Sequence, residues 1–322
     1  MSPNLPRNAM FRAEAVRSLC WPSAGTTLER PPEGGTPSGS GPTFPRRASP
    51  TECRVPAVRW RVLACALGVL LLAADASAAD TTVPLVVRHR HYFVLVNAAG
   101  TAPSVSLQSR TFFTYSDVVQ YQVIDDRDAV RLEGVLPVHE RLTKAVPGAA
   151  APLYLIAANP GMNGVAFDAD QPWGVVAGNQ GLGSNGPVPP LFLYVPPECE
   201  QFKLTCDSTS PNEGARVTVR RPDGAEAAVM DGEFDQPETR TVAVPPEGRG
   251  KVWTFTWGRP QSVKAALDDV VVTLDGALAP VLWPRADWAE KHGPDIWRRH
   301  KAVLDAESAQ PPKPRQADGQ GK

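Results

Sequence analysis

Cysteine is scarce in this chain, and no sign of charge dominates. Five cysteines occur in 322 residues, and beyond residue 78 only Cys199 and Cys206 remain. That is too few for a disulfide scaffold, and no C-x-x-C pair offers a zinc or thioredoxin-like site. Lys and Arg number 33 against 34 Asp and Glu, a formal charge of −1, which argues against a nucleic-acid partner because that role needs a basic stripe. The longest apolar run, Val62 to Ala74, has 13 residues. A bilayer takes about 20. Past residue 78 there is neither a Gly-x-Ser-x-Gly elbow nor a His-Glu-x-x-His pair, so nucleophilic and zinc-hydrolase motifs are missing. His89 and His91 stand two apart on a strand and could reach one metal, but zinc takes three or four protein ligands. Beside Arg88 and Arg90 they read as solvated edge-strand histidines.

Proline and glycine are plentiful, 34 and 26 residues, which suits many turns rather than a helical bundle. Arg54, Arg59 and Arg61 precede the apolar run, and Ala76-Ser77-Ala78 follows it. A positive flank, a short apolar stretch and a small-residue cleavage site make a signal peptide over 54–78 and a secreted or periplasmic product. Contact with a membrane would come only through an uncleaved signal sequence. Cys65 is no lipid-attachment site, since the apolar run continues past it. Residues 1–53 are rich in Pro, Gly, Ser and Arg without apolar periodicity, and are expected to be disordered. Signal peptides lie at the start of a chain, so translation is expected to begin near Val55 or Val58. Cys199 and Cys206 sit along one extended strand, with Phe202, Leu204 and Cys206 on its buried face. An extended strand of that length spans roughly 23 Å, too far for a bridge without a sharp bend.

A segment of the chain occurs twice in diverged form. Tyr92-Phe93-Val94-Leu95-Val96 is matched by Leu191-Phe192-Leu193-Tyr194-Val195, and the strand around Val123 by that around Val219. The offsets barely drift: 99 from Phe93 to Phe192, 96 from Val123 to Val219, 98 from Gly134 to Gly232 and 99 from Leu153 to Val252. Internal repeats govern the fold, and a unit of about 95 residues suits one β-sandwich. Short alternating strands broken by turns such as Pro222-Asp223-Gly224 give an all-β chain of two tandem β-sandwich, jelly-roll-like domains, with a short C-terminal helix and a disordered N-terminal region. The sandwiches are placed at 80–178 and 191–283, joined by a linker at 179–190. A helical tail covers 284–307 and a disordered end 308–322. In the tail, Pro294 reads as a first helical position, ahead of an apolar stripe through Ile296, Trp297, His300, Val303 and Leu304.

Candidate chemistry rests on carboxylates and aromatics. Asp125, Asp126, Asp128, Asp168, Asp170, Asp268 and Asp269 could serve a glycosidase pair or a calcium site. Asp125, Asp126 and Asp128 stand where the second copy has a plain turn, so an acidic hairpin turn is the first reading and a structural calcium the second. Trp253, Phe255 and Trp257 share one strand face, matching Tyr154, Ile156 and Ala158. Apolar residues in both copies indicate core. Trp257 is much larger than its counterpart, so it and Trp173 are the candidate ligand-binding platforms.

Residues 191–274 resemble the pre-peptidase C-terminal type of β-sandwich and related carbohydrate-binding-like jelly rolls of secreted bacterial proteins. The likeness lies in Phe192-Leu193-Tyr194-Val195-Pro196, Phe202-Lys203-Leu204-Thr205, Val217-Thr218-Val219-Arg220-Arg221-Pro222-Asp223-Gly224 and Trp253-Thr254-Phe255. It implies a module that accompanies hydrolases and binds polysaccharide or protein surfaces, sometimes with calcium. This chain lacks a catalytic domain of that pattern. The expectation is a secreted, non-enzymatic protein that binds a surface polysaccharide or an envelope protein. Its rivals are a polysaccharide hydrolase or lyase whose carboxylates assemble between the two units, and a structural envelope subunit.

Overall fold

Alternation of inward and outward residues builds the sheets. In Gln201–Ser208, for example, Phe202, Leu204 and Cys206 are buried while Gln201 and Lys203 face water, the period of two that a half-buried strand demands. The computed structural model describes residues 84–184, 186–208 and 210–308. The readings of 1–53, of the signal peptide at 54–78 and of the tail beyond Ser308 lie outside the described residues.

Among those residues the chain runs through β1 (Val86–Arg88), β2 (His91–Val96), β3 (Ser104–Arg110), β4 (Val119–Asp125) and β5 (Val130–Leu136). It continues with β6 (Arg141–Ala145), β7 (Leu153–Asn159), β8 (Gly164–Ala169) and β9 (Trp173–Val176). Nine more follow: β10 (Leu182–Ser184), β11 (Val188–Val195), β12 (Gln201–Ser208), β13 (Gly214–Arg220) and β14 (Glu226–Glu233). The last are β15 (Glu238–Ala243), β16 (Lys251–Gly258), β17 (Val270–Gly276) and β18 (Val281–Trp283), before helix α1 (Ala286–Ser308).

Two four-stranded sheets have the orders β1-β8-β3-β6 and β10-β17-β12-β15. A ten-stranded sheet runs β14-β13-β16-β11-β18-β9-β2-β7-β4-β5. Adding nine to every strand number of the first half yields the second. The halves join where β9 pairs antiparallel with its own equivalent β18, Val176 opposite Val281 and Val175 opposite Leu282. An antiparallel pair of equivalent strands gives the halves a local two-fold relation, as in an isologous dimer. The stretch 179–190 contains β10 and the start of β11, with Leu182 fully buried.

The main core lies between the ten-stranded sheet and the two smaller ones. Phe93 of β2 stacks on Phe167 of β8 with centroids 4.5 Å apart, and Trp173 meets both edge-on. In the second half Phe202 meets Trp253 edge-on at 5.9 Å. On the far face, α1 covers the seam with Ala289, Ile296 and Trp297 against Val94, Val281 and Trp283. Each such large apolar side chain contributes about 1.5–3 kcal/mol by burial. The helix begins at Ala286, and Pro294 lies inside it rather than at its first position. Proline there removes one backbone hydrogen bond, at a cost of about 3 kcal/mol. The turns ahead of it compensate by packing: Ala289 and His292 are buried, and Gly293 lies so close that a Cβ would stand 2.4 Å from Tyr194 Cβ.

The register between the copies differs from that read in the sequence. Phe93 faces the inter-sheet core whereas Phe192 packs beside α1, so the equivalent of Phe93 is Leu191. Both pair with matched partners, Phe93 with Ile156 and Leu191 with Phe255. A one-residue slip moves a side chain to the opposite face. Gly134 is likewise equivalent to Met230 rather than Gly232. Tyr121 pairs with Ala158 and Gly134, and Val217 pairs with Trp257 and Met230. Tyr121 lies over Gly134, where a Cβ would meet its hydroxyl at 2.8 Å.

Candidate functional site

Arg88 closes β1 and is only 2% exposed. A desolvated guanidinium requires partners, and it has four. Its Nη1 donates to Asp268 Oδ1 at 3.2 Å and to Asp269 Oδ1, its Nη2 donates to the Met162 carbonyl at 3.1 Å, and its plane lies over the Phe112 ring at 5.5 Å. Asp268 and Asp269 immediately precede β17. The Asp269 amide donates to Asp268 Oδ1 at 2.9 Å, with Asp269 in the left-handed region at φ 44°. Glu213, just ahead of β13, forms an isolated parallel bridge with Ala266 that brings its chain alongside theirs. Its Oε2 accepts a hydrogen bond from Ser208 Oγ at 3.0 Å.

One oxygen from each of Glu213, Asp268 and Asp269 lies within 4.8 Å of the other two, a grouping that could hold a metal ion. Burial pushes the Glu213 carboxyl above the usual range, and the neighbouring Asp269 and Asp268 add to the rise. Asp268 is raised as well, by burial first and by Asp269 second, with Arg88 opposing. Two of the three carboxylates thus pair with one guanidinium, and Glu213 and Asp268 hold their protons more tightly than free acids do.

The first half shows what this place looks like without the cluster. Val123 and Val219 occupy matched positions in β4 and β13, and so do Val165 and Val272 in β8 and β17. Glu213 is therefore equivalent to Asp117, Asp268 to Gly161 and Asp269 to Met162. There the single carboxylate of Asp117 accepts the Met162 amide at 3.0 Å. Arg88 reaches both equivalent loops, Met162 on one side and Asp269 on the other.

His91, beside Arg88, is buried because the seam with β10 covers it, which corrects the solvated edge-strand reading. Its Nε2 accepts the Gly183 amide at 2.8 Å, and burial drives its pKa down to about 4. Ser184 Oγ donates to the Val86 carbonyl at 3.0 Å, a second tie across the seam.

The residues singled out in the sequence are scattered. Trp257 is 3% exposed and Trp173 is 5% exposed, so both pack inside the core and neither presents an open face. Trp257 fills volume that the first half assigns to other residues: Ala158–Tyr121–Gly134 across three strands becomes Trp257–Val217–Met230. The large ring stands on the middle strand of the three in the first half and on β16 in the second. Asp125 is buried, and both its oxygens are occupied. Oδ1 accepts the Arg127 and Ala129 amides at 2.9 Å, and Oδ2 accepts Arg131 Nε at 2.6 Å. Burial raises that carboxyl, but these hydrogen bonds outweigh it and hold it below the usual range. Asp128 supplies the left-handed turn position at φ 65°. With Asp125 saturated, Asp125, Asp126 and Asp128 form a hairpin turn. Among the described residues the carboxylates grouped to hold an ion are Glu213, Asp268 and Asp269. Cys199 and Cys206 are both free and buried. Asp268 and Asp269 stood among the sequence candidates, whereas Glu213 and Arg88 did not.

No protein-family model matches the chain, and no curated protein shows significant similarity to it. No helix among the described residues is long and apolar enough to cross a membrane.

Proposed function

We propose that this is a secreted protein of two jelly-roll-like β-sandwich repeats that hydrolyses a polysaccharide with the seam carboxylates. The observation that carries this reading is the convergence of Glu213, Asp268 and Asp269 within 4.8 Å, beside Arg88 from the other repeat. Retaining glycosidases hold two carboxyl groups about 5–5.5 Å apart, whereas inverting enzymes need about 6.5–9.5 Å to admit a water. The close grouping favours retention.

Glu213 touches no arginine and is pushed up in pKa, which suits a general acid. It protonates the glycosidic oxygen as the C1–O bond breaks. Asp268, anchored by Arg88 and the Asp269 amide, attacks C1 and forms a glycosyl ester. Glu213, now a carboxylate, takes a proton from water, which attacks C1 and releases Asp268. Asp269 fixes Arg88 and thereby positions Asp268.

A non-enzymatic glycan binder is the competing outcome. The test is release of reducing ends from soluble mixed-linkage β-glucan, xylan and chitosan by the full chain and by Glu213→Gln. Turnover in the parent that vanishes in a folded variant supports hydrolysis. Undiminished turnover in Glu213→Gln, or none in the parent, refutes it. A cation held by the same carboxylates is the second reading, supported by the excess of three carboxylates over one guanidinium. Its signature is a rise in Tm with added calcium that Asp268→Asn abolishes.

A further inference from the structure

The most exposed large apolar residue of the described chain sits beside this cluster. Phe113 is 78% exposed, and its backbone is left-handed at φ 50°, a conformation that bulky side chains rarely adopt. Tyr115 is exposed too and meets Phe113 edge-on at 6.1 Å, and Val118 and Met162 are also exposed. Both rings lie on the connection between β3 and β4.

This connection is pinned from below. Asn163, fully buried, accepts the Phe112 amide at 3.1 Å through Oδ1, and its Nδ2 donates to the carbonyls of Tyr115 at 3.1 Å and Asp117 at 2.8 Å. The Tyr115 amide closes the turn on the Phe112 carbonyl at 3.2 Å. A backbone outlier held in place by a buried amide, with its aromatic ring left in water, marks a preorganised binding element. Phe112 and Met162 join it to the cluster, because both contact the Arg88 guanidinium that also holds Asp268 and Asp269.

We propose that Phe113 and Tyr115 form the subsite that stacks a sugar ring next to the seam carboxylates, and that the sugar chain it accepts is neutral or amino-bearing rather than uronate. The identity of the substrate as a polysaccharide rests on the function proposed above; the aromatic subsite stands on the loop itself. Pyranose rings present an apolar C–H face to an aromatic plane, while their hydroxyls donate to carboxylates. Charge decides between sugar chains. Even with Glu213 protonated, Asp117, Asp268 and Asp269 outnumber Arg88 and Arg110, the cation across Gly164 in the same row of the sheet, so a polyanion is repelled. That counts against a lyase, whose uronate substrate must bring its own carboxylates into the site.

The test is binding of the full chain to soluble β-glucan, chitosan and alginate, measured by affinity electrophoresis and calorimetry. The double variant Phe113→Gly with Tyr115→Ala removes both rings, and glycine adopts the left-handed backbone without strain. With Tm unchanged, its Kd for β-glucan or chitosan is expected to rise at least about tenfold. Equal affinity in the double variant and the parent overturns the subsite, as does failure of the parent to bind β-glucan or chitosan. Alginate bound as tightly as β-glucan overturns the charge argument. Ring-dependent binding without turnover in the parent supports the subsite while refuting hydrolysis.

Discussion

The two halves of this chain share nine strands in one order and differ in the loops where they meet. In the first half the loops beside the seam carry Asp117, Gly161 and Met162, and the carboxylate is satisfied by a backbone amide. In the second, the same three places hold Glu213, Asp268 and Asp269, the last two paired with Arg88 of the first half. Duplicated strands thus preserve packing, while their loops diverge in charge. The core shows the other kind of divergence, in which the large ring of a layer stands on a different strand. Trp257 belongs to that kind.

The largest effect is expected from breaking the seam. Arg88→Met leaves Asp268 and Asp269 without their cation, and losing one partner of a buried charge cluster costs about 3–5 kcal/mol. Urea unfolding at neutral pH should show this loss, and adding Asp268→Asn with Asp269→Asn should restore much of it. Trp257→Ala should cost a similar amount, about 3–5 kcal/mol, by opening a cavity. Rebuilding the first-half layer, with Val217→Tyr and Met230→Gly added, should recover part of that stability. No recovery would refute the exchange of ring position between strands.

Acid should weaken the seam through His91. Its folded pKa of about 4 lies below the unfolded value near 6.5, so its contribution is complete above 6.5 and is lost as pH falls toward 4. The integrated effect is on the order of 3 kcal/mol. His91→Gln, which keeps an acceptor for the Gly183 amide without titrating, should flatten the acid limb of stability against pH. Glu213 and Asp268 act in the opposite sense. Their folded pKa values are raised, so their contribution is present below the unfolded values and is lost as pH rises through the folded ones. Glu213→Gln should therefore stabilise the fold near neutral pH, by about 1 kcal/mol, the smallest shift of the series.

Much of the architecture was legible from alternation and repetition. Cys206 falls on the buried face of β12 with Phe202 and Leu204, and Trp253 and Phe255 match Tyr154 and Ile156 as read. Register was less legible, because similar residues attract an alignment regardless of the face they occupy. Phe192 resembles Phe93 in chemistry, but it lies on the α1 side of the sheet. The size of Trp257 relative to Ala158 was a sound observation, yet the matching ring of the first half lay on the neighbouring strand, in Tyr121 against Val217. The cluster was half legible. Asp268-Asp269 stands out as an acidic pair, but its meeting with Glu213 depends on the bridge to Ala266, and its meeting with Arg88 depends on the seam between halves. Phe113 and Tyr115 escaped notice because exposure depends on how Asn163 anchors their turn.

The most direct measurement compares equivalent carboxylates of the two halves: the initial rate of reducing-end release from soluble β-glucan or chitosan by Glu213→Gln and by Asp117→Asn. General acid catalysis is worth about 10²–10⁴ in rate, so Glu213→Gln should fall by at least about 100-fold while Asp117→Asn stays within a few-fold of the parent. Equal rates in the two variants, or a loss confined to Asp117→Asn, would contradict the assignment of the chemistry to the second half.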